Sequence, residues 1–469
     1  MADQVDVVVV GFGIAGGCAA VEAAAAGASV LILERAPVAG GTTAMAGGHF
    51  YLGGGTVVQR ATGHPDSPDE MYAYLMAVTP DPEPDKIRAY ADGSAGHCDW
   101  LEGLGFEFER SYYPEKAVIQ PQTQGLMYTG NEKVWPFRDL AVPAPRGHKV
   151  PVPGDTQGAK LVIDLLVKRA AELGVTVRYE TAITDLLVED GVVTGARWRS
   201  LDGTGLLRAG AVILAAGGFV MNREMVARYV PQLASKPFVL GTSYDDGTAI
   251  RLGESAGGEA LHMDQAFLTA PFYPPASLVK GIVVNADGKR FVAEDSYHSR
   301  TSGFVLDQPG SAAFLIVDSV HMERPEFPLV PFIDGWETIA EMEAALRIPA
   351  GNLAATLSAY NDAAARGEDP EFHKHPDWLA PQDTGPWAAF DLTLGTAMYA
   401  GFTLGGLRCT VDGQVQRADG SVITGLYAAG ACAANIAQDG KGYSSGTQLG
   451  EGSFFGRRAG RHAAEPRTR

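Results

Sequence analysis

The sequence predicts an α/β fold, a parallel sheet with helices packed on it and a smaller α+β unit inserted late in the chain. Three observations predict it. A strand–turn–helix–strand unit stands at the N-terminus, apolar β-branched runs alternate with helical patterns after it, and the composition changes between about Met263 and Leu392. The opening unit, Val5 to Arg35, reads VDVVVVGFGIAGGCAAVEAAAAGASVLILER. Its β-branched run ends at Gly11, and Gly11, Gly13 and Gly16 follow in G-x-G-x-x-G spacing. Gly11 permits the tight turn, Gly13 lets the backbone come close to a pyrophosphate, and Gly16 lets the helix lie close on the strand. The helix N-terminus offers unpaired N–H groups to the anion. Glu34 closes the second strand, where an acid accepts hydrogen bonds from an adenosine ribose. Strand, helix and acid in the right places point to a dinucleotide site.

The glycine-rich stretch Gly40 to Gly55, GGTTAMAGGHFYLGGG, follows directly. Pro68–Val78 and Pro84–Leu104 are predicted as surface helices, begun by proline-rich turns and ended by Gly103 and Gly105. Tyr112–Pro153, rich in Pro, Gly and aromatics and poor in periodicity, is expected to be a long covering loop. Gln157–Leu173 is an amphipathic helix closed by Gly174, followed by strands at Val175–Tyr179, Ile183–Glu189, Val192–Ser200 and Ala211–Ala215. The inserted unit carries a strand at Ala312–Asp318. The chain closes on a helix from about Gly446 to Arg461 and a short polar end, Glu465–Arg469. The expected division is therefore 1–263 and 393–469 for the nucleotide domain, with 264–392 inserted as a substrate cap.

Composition narrows the partners. A net charge of −18 argues against nucleic acid or an anionic membrane. No apolar stretch runs long enough to span a bilayer, and no basic, apolar leader precedes the first strand. Cys18, Cys98, Cys409 and Cys432 show no C-x-x-C spacing and read as buried or incidental thiols of a cytoplasmic protein. His373 and His375 lack further ligands nearby, so no metal is expected.

The motifs AVILAAGGF (Ala211–Phe219), NADGKRFVAED (Asn285–Asp295), GLYAAGACA (Gly425–Ala433) and SFFGRRAG (Ser453–Gly460) follow the fingerprint in order. With them, nearly the whole chain resembles the flavoprotein family of fumarate reductases and 3-ketosteroid dehydrogenases. That resemblance implies a Rossmann-like FAD-binding domain with an inserted cap, and FAD held non-covalently. Around the fingerprint it assigns Gly11, Gly13, Ile14, Ala15, Gly16, Glu34 and Arg35 to the cofactor. Thr42, Thr43, Gly47 and Gly48 follow from the Gly-rich stretch. Ala182, Ala215, Gly217 and Asp246 come from mid-chain, and Gly430, Gln448 and Leu449 from the C-terminal part. The segment Ser243–Gly258 is expected to form a flavin-side helix, with His49 structural or pocket-lining.

Within the resemblance, the fumarate-reductase branch clamps carboxylates with a histidine and an arginine. Here FTLGG puts Phe402 at the histidine position, and alignment on the shared FGRxAG ending puts Tyr443 at the arginine position. A dicarboxylate would leave its charge unpaired there, at a cost of several kcal/mol. The stretch DGKGYSSGTQLGEG (Asp439–Gly452) instead resembles the 3-ketosteroid Δ4-(5α)-dehydrogenase pattern, and RFVAEDSYHSR supplies a second tyrosine. The resemblance then implies a neutral steroid ketone bound beside Phe402 and Gly446. Tyr443 holds the C3 carbonyl oxygen, Ser445 takes the C4 proton, and Tyr297 passes it on. A serine is a poor base alone, and a tyrosine serves better if the site lowers its pKa. Ser445 equally suits a helix N-cap, and His298 a satisfied surface position. The Δ1 branch, with its Y-P-G-P-G-like stretch, and an ene-reductase working on an unsaturated carboxylate or enone are the alternatives. With one fingerprint and no second nucleotide site, the expected electron acceptor is a quinone or a protein carrier.

Overall fold

In the computed structural model, residues 3–118, 120–234 and 238–465 are described; of the polar end, all but Glu465 lies outside them. Strand β1 (Asp3–Val10) is followed by helix α1 (Ile14–Ala25) and strand β2 (Val30–Leu33). β1 and β2 pair in parallel, Val7 opposite Val30. Strand β3 (His49–Tyr51) belongs to a small separate sheet, and the long strand β4 (Gly203–Leu214) returns beside β1, Val7 opposite Ala211. Helix α2 (His298–Leu306) follows further on. Strand β5 (Val422–Ala428) then joins β4 in parallel, and helix α3 (Thr447–Ala463) closes the described chain. The main sheet runs Gln414–Gln416, β5, β4, β1, β2, Thr176–Arg178, with the hairpin 182–200 attached through β4. The four valines at the end of β1 are almost fully buried, as a central parallel strand covered on both faces demands.

α3 lies directly on α1. A Cβ on Gly456 or Gly460 would overlap the carbonyl oxygens of Ala15 and Ala19, so only glycine permits this approach. Glu22 of α1 fixes the register by accepting hydrogen bonds from Arg457 at 2.9 Å and Arg461 at 2.8 Å. The contact brings the N-terminus of α3 to the glycine-rich turn of β1.

The segment 112–153 is mostly the irregular loop expected of it, with three short elements inside. Leu126–Met127 and Gly147–Lys149 pair with each other and, through Gly147–Lys149, with β3, and Phe137–Leu140 is a helical turn. Strands of two or three residues leave no periodicity to read. What fixes them is buried polar pairing, above all Arg146 with Asp66 at 2.8 Å, both side chains wholly inside. The helix read in 243–258 is confined to Thr248–Ser255. Between 282 and 391, four strands make an antiparallel sheet of their own, against which Ile339–Leu346 and Asn352–Ala364 pack. The strand Ala266–Thr269 pairs instead with Ala400–Thr403. Among the described residues, no helix is long and apolar enough to cross a membrane.

Candidate active site

One cavity of about 880 Å³ runs from the C-terminal ends of β1 and β2 to the N-terminus of α3. At its first end Gly11 takes φ 98°, and a Cβ there would stand 2.6 Å from the carbonyl oxygen of Ala215. Gly16 does not line the cavity; it lies so close to Gly11 that any Cβ would overlap that backbone. Gly13 starts α1 without a side-chain cap, leaving that helix end open toward the cavity apart from the Ile14 N–H, which Thr43 accepts at 3.2 Å. Glu34 is buried, and its carboxylate accepts the backbone N–H groups of Phe12 at 2.6 Å and Ala36 at 2.7 Å. It braces the turn while lining the cavity, and burial pushes its carboxyl above the usual range. Arg35 is paired with Asp246 at 2.7 Å over the Tyr244 ring.

The walls hold Ala15, Thr42, Gly47, Gly48, Ala182, Gly217, Gly430, Gln448 and Leu449. Asp245 and Asp155 also line the cavity and escaped the sequence; Asp245 accepts hydrogen bonds from the Thr42 hydroxyl and from the Thr242 N–H at 2.8 Å. A Cβ on Gly217 would overlap its carboxylate. Both members of the Asp-Asp pair line the cavity, Asp246 through its pairing with Arg35 and Asp245 through Thr42 and Thr242.

At the other end, Tyr297, Tyr443 and Ser445 come together. Tyr297 Oη and Ser445 Oγ are 2.6 Å apart, across 148 residues of chain. Tyr443 is 5% exposed, and its hydroxyl accepts the Gln448 N–H at 3.4 Å, leaving its own proton free to donate. Gly446, at φ 94°, makes the turn between Ser445 and α3; a Cβ there would stand 2.7 Å from the Tyr51 nitrogen. The N-cap of α3 is Gly446, so the Ser445 hydroxyl is not used for capping. Phe402 stacks on Phe267 at 4.7 Å, and both meet the Tyr443 ring edge-on. Phe267 sits in no motif, and sequence gave no sign of it.

The condition under which a tyrosine would serve as a base is not met. The site does not lower its tyrosines: burial pushes both Tyr297 and Tyr443 well above the ordinary phenol value, so both stay protonated. His298 is also not at the surface. It is buried, its Nδ1 lies 2.6 Å from the Thr269 hydroxyl, and its ring lies 3.9 Å from that of Tyr297. Burial holds His298 and His49 down at about 3, both neutral. Among the described residues lining the cavity, the other basic side chains are Arg35, already paired, and Arg199, opposite Ala182 in the hairpin. Among the described residues, the hydrogen-bond and ring partners of Tyr443 are Gln448, Phe267 and Phe402, with no lysine or arginine among them.

The sequence profile of the FAD binding domain family matches residues 6–452. The chain belongs to that family. Its cavity fits the cofactor: a glycine cradle and helix N-terminus at one end, and one uninterrupted space to the polar trio at the other. As a member of the FAD binding domain family it is an FAD-dependent oxidoreductase. It is similar to the 3-ketosteroid-Δ4-(5α)-dehydrogenase of Rhodococcus jostii RHA1, solved in complex with 4-androstene-3,17-dione. The two share 39% identity over 99% of this chain and 97% of that one, with a TM-score of 0.93. Vinyl phenol reductase of Lactiplantibacillus plantarum is 27% identical over 99% of this chain and 97% of its own length. 3-Oxosteroid 1-dehydrogenase of Mycobacterium tuberculosis is 29% identical over 98% of each.

Proposed function

We propose that the protein introduces a C4–C5 double bond into 3-keto-5α-steroids. The observation that carries this is the Tyr297–Ser445 hydrogen bond, set beside Tyr443 and the Phe267–Phe402 stack in a largely apolar pocket. The solved relative with 4-androstene-3,17-dione supports the same substrate class. Bound FAD, held without a covalent bond, supplies the acceptor for the C5 hydride. The protein's own groups do the rest. Tyr443 stays neutral and donates to the C3 oxygen, where negative charge grows as the C4 proton leaves, a contribution of about 3 kcal/mol for one well-placed donor. Ser445 receives that proton as its own moves to Tyr297. Phe402 and Phe267 hold the rings of the substrate and exclude water. In this reading residues 264–392 form the cap that supplies Tyr297, and reduced enzyme passes its electrons to a quinone or protein carrier.

The similarity to a 3-oxosteroid 1-dehydrogenase favours a second reading, desaturation at C1–C2. Against it, Gly442-Tyr443-Ser444-Ser445-Gly446 lacks both prolines of the Y-P-G-P-G-like stretch. Anaerobic mixing with a saturated 3-ketosteroid is expected to bleach the flavin absorbance and yield the 4-ene product by mass spectrometry and NMR. A 1-ene product selects the second reading.

A further inference from the structure

Tyr297 faces two spaces. Besides the main cavity it lines a separate chamber of about 60 Å³, walled by Thr129, Glu132, Lys116 and Asp295 and rimmed by the exposed Pro114 and Glu115. The volume holds about two waters. Its wall is built to bind them. Asp295 is 2% exposed; one carboxylate oxygen accepts the His375 N–H at 3.1 Å, while the other, Oδ1, has no partner. The Thr129 hydroxyl is likewise buried without a partner, and the Thr129 carbonyl accepts the Ser445 N–H at 2.8 Å. Lys116 donates from Nζ to the backbone carbonyl oxygen of Asp295 at 2.7 Å.

The proposed chemistry needs such a place. A proton taken by Ser445 and handed to Tyr297 cannot stop there, since a buried phenol gives up its proton only as another arrives. We propose that the chamber is the proton exit of the active site and that Asp295, through water, takes the proton that Tyr297 releases. The proposal rests on the Ser445–Tyr297 assignment above. The C4–H electron pair stays on the substrate as the enolate. Ser445, Tyr297 and the bridging water each gain one proton and lose one, so the sole net change in the protein is carboxylate to carboxylic acid at Asp295. It discharges past the rim to solvent. Asp295 touches neither substrate nor reacting carbon and acts through Tyr297. Burial makes its carboxyl more basic than a free aspartate. The rival acceptors are less suited. Both oxygens of Glu132 are engaged, by the Tyr51 hydroxyl at 3.1 Å and the Gly130 N–H at 3.0 Å, and His298 is held down at about 3.

The test uses FAD-loaded enzyme, a saturated 3-ketosteroid and single-turnover measurement in H2O and D2O. Asp295→Asn is expected to slow the step about a hundredfold and to enlarge the solvent isotope effect, the scale of a lost general acid–base group. Flavin content and the dissociation constant of a 4-ene-3-ketosteroid should stay at wild-type values, and Asp295→Glu should restore most of the rate. A wild-type rate and isotope effect in Asp295→Asn, with Tyr297→Phe slow, overturns the exit. If Asp295→Asn does not fold, Thr129→Val decides: a slowed step with a raised isotope effect supports the exit, and unchanged values overturn it. Wild-type enzyme that no saturated 3-ketosteroid reduces removes the proposed function itself, and the exit with it.

Discussion

In the proposed reaction Tyr443 acts through one hydrogen. Its ring packs between Phe267, Phe402 and the start of α3, while the hydroxyl accepts the Gln448 N–H and keeps its own proton for donation. Tyr443→Phe removes that donor and almost no volume. Flavin content and melting temperature should hold, while reduction by substrate slows about a hundredfold, the loss usual for one oxyanion donor. Substrate binding should weaken far less, because the ground-state carbonyl carries little charge. A normal rate with lost stability would make Tyr443 a packing residue. Ser445→Ala should cost at least as much, about a hundredfold or more, with unchanged helix content, since Gly446 rather than Ser445 begins α3. Both residues were legible through the family resemblance of Asp439–Gly452, and the fold places both on the cavity wall. Phe267, Asp245 and Asp295 were not, because nothing local marks them and only the folded chain brings them to the site. Nor could sequence show that burial raises the tyrosines, since a pKa belongs to the surroundings.

At the scale of elements, the contact of α3 with α1 holds the trio against the nucleotide loop. Gly460→Ala places a methyl group in the Ala19 backbone, which cannot yield as a side chain can, and should destabilise by about 1–3 kcal/mol or more. Lower melting temperature together with weaker FAD retention is the expected result; FAD retention unchanged would mean that α3 does not set the cofactor site. Glu451 of α3 gives a pH signature. It is wholly buried, accepts the Ile436 N–H at 2.7 Å, and burial lifts its carboxyl from 4.5 to about 7. The folded state therefore holds this proton where the unfolded chain has lost it. Its stabilising contribution is complete below about 4.5, falls as pH rises, and is gone above about 7. In Glu451→Gln the stability difference from wild type should change across that window and level off above it, which melting curves from pH 4 to 8 can follow. The long, regular elements were readable from period and glycine placement. The short strands in 112–153 were not, because two or three residues carry no period and their fixation comes from Arg146 and Asp66, distant in sequence.

Across the whole molecule, a cofactor cradle formed by the first thirty-odd residues is completed by segments from the middle and end of the chain, so binding FAD and folding are coupled. Removing FAD should lower the melting temperature, and re-adding it should raise the value with concentration, as mass action requires. The opening fingerprint made the nucleotide end visible early, because its physics is local. The other end brings Tyr297 to Ser445 from far along the chain, a juxtaposition that family resemblance could suggest and only the fold displays at 2.6 Å. The central claim is that this pair and Tyr443 desaturate a neutral ketone. Anaerobic mixing of FAD-loaded enzyme with a 3-keto-5α-steroid tests it most directly. Rapid loss of flavin absorbance with formation of the 4-ene-3-ketone is the result expected. No bleaching across a panel of saturated 3-ketosteroids, with fast turnover of an unsaturated carboxylate by the reduced enzyme, would contradict it.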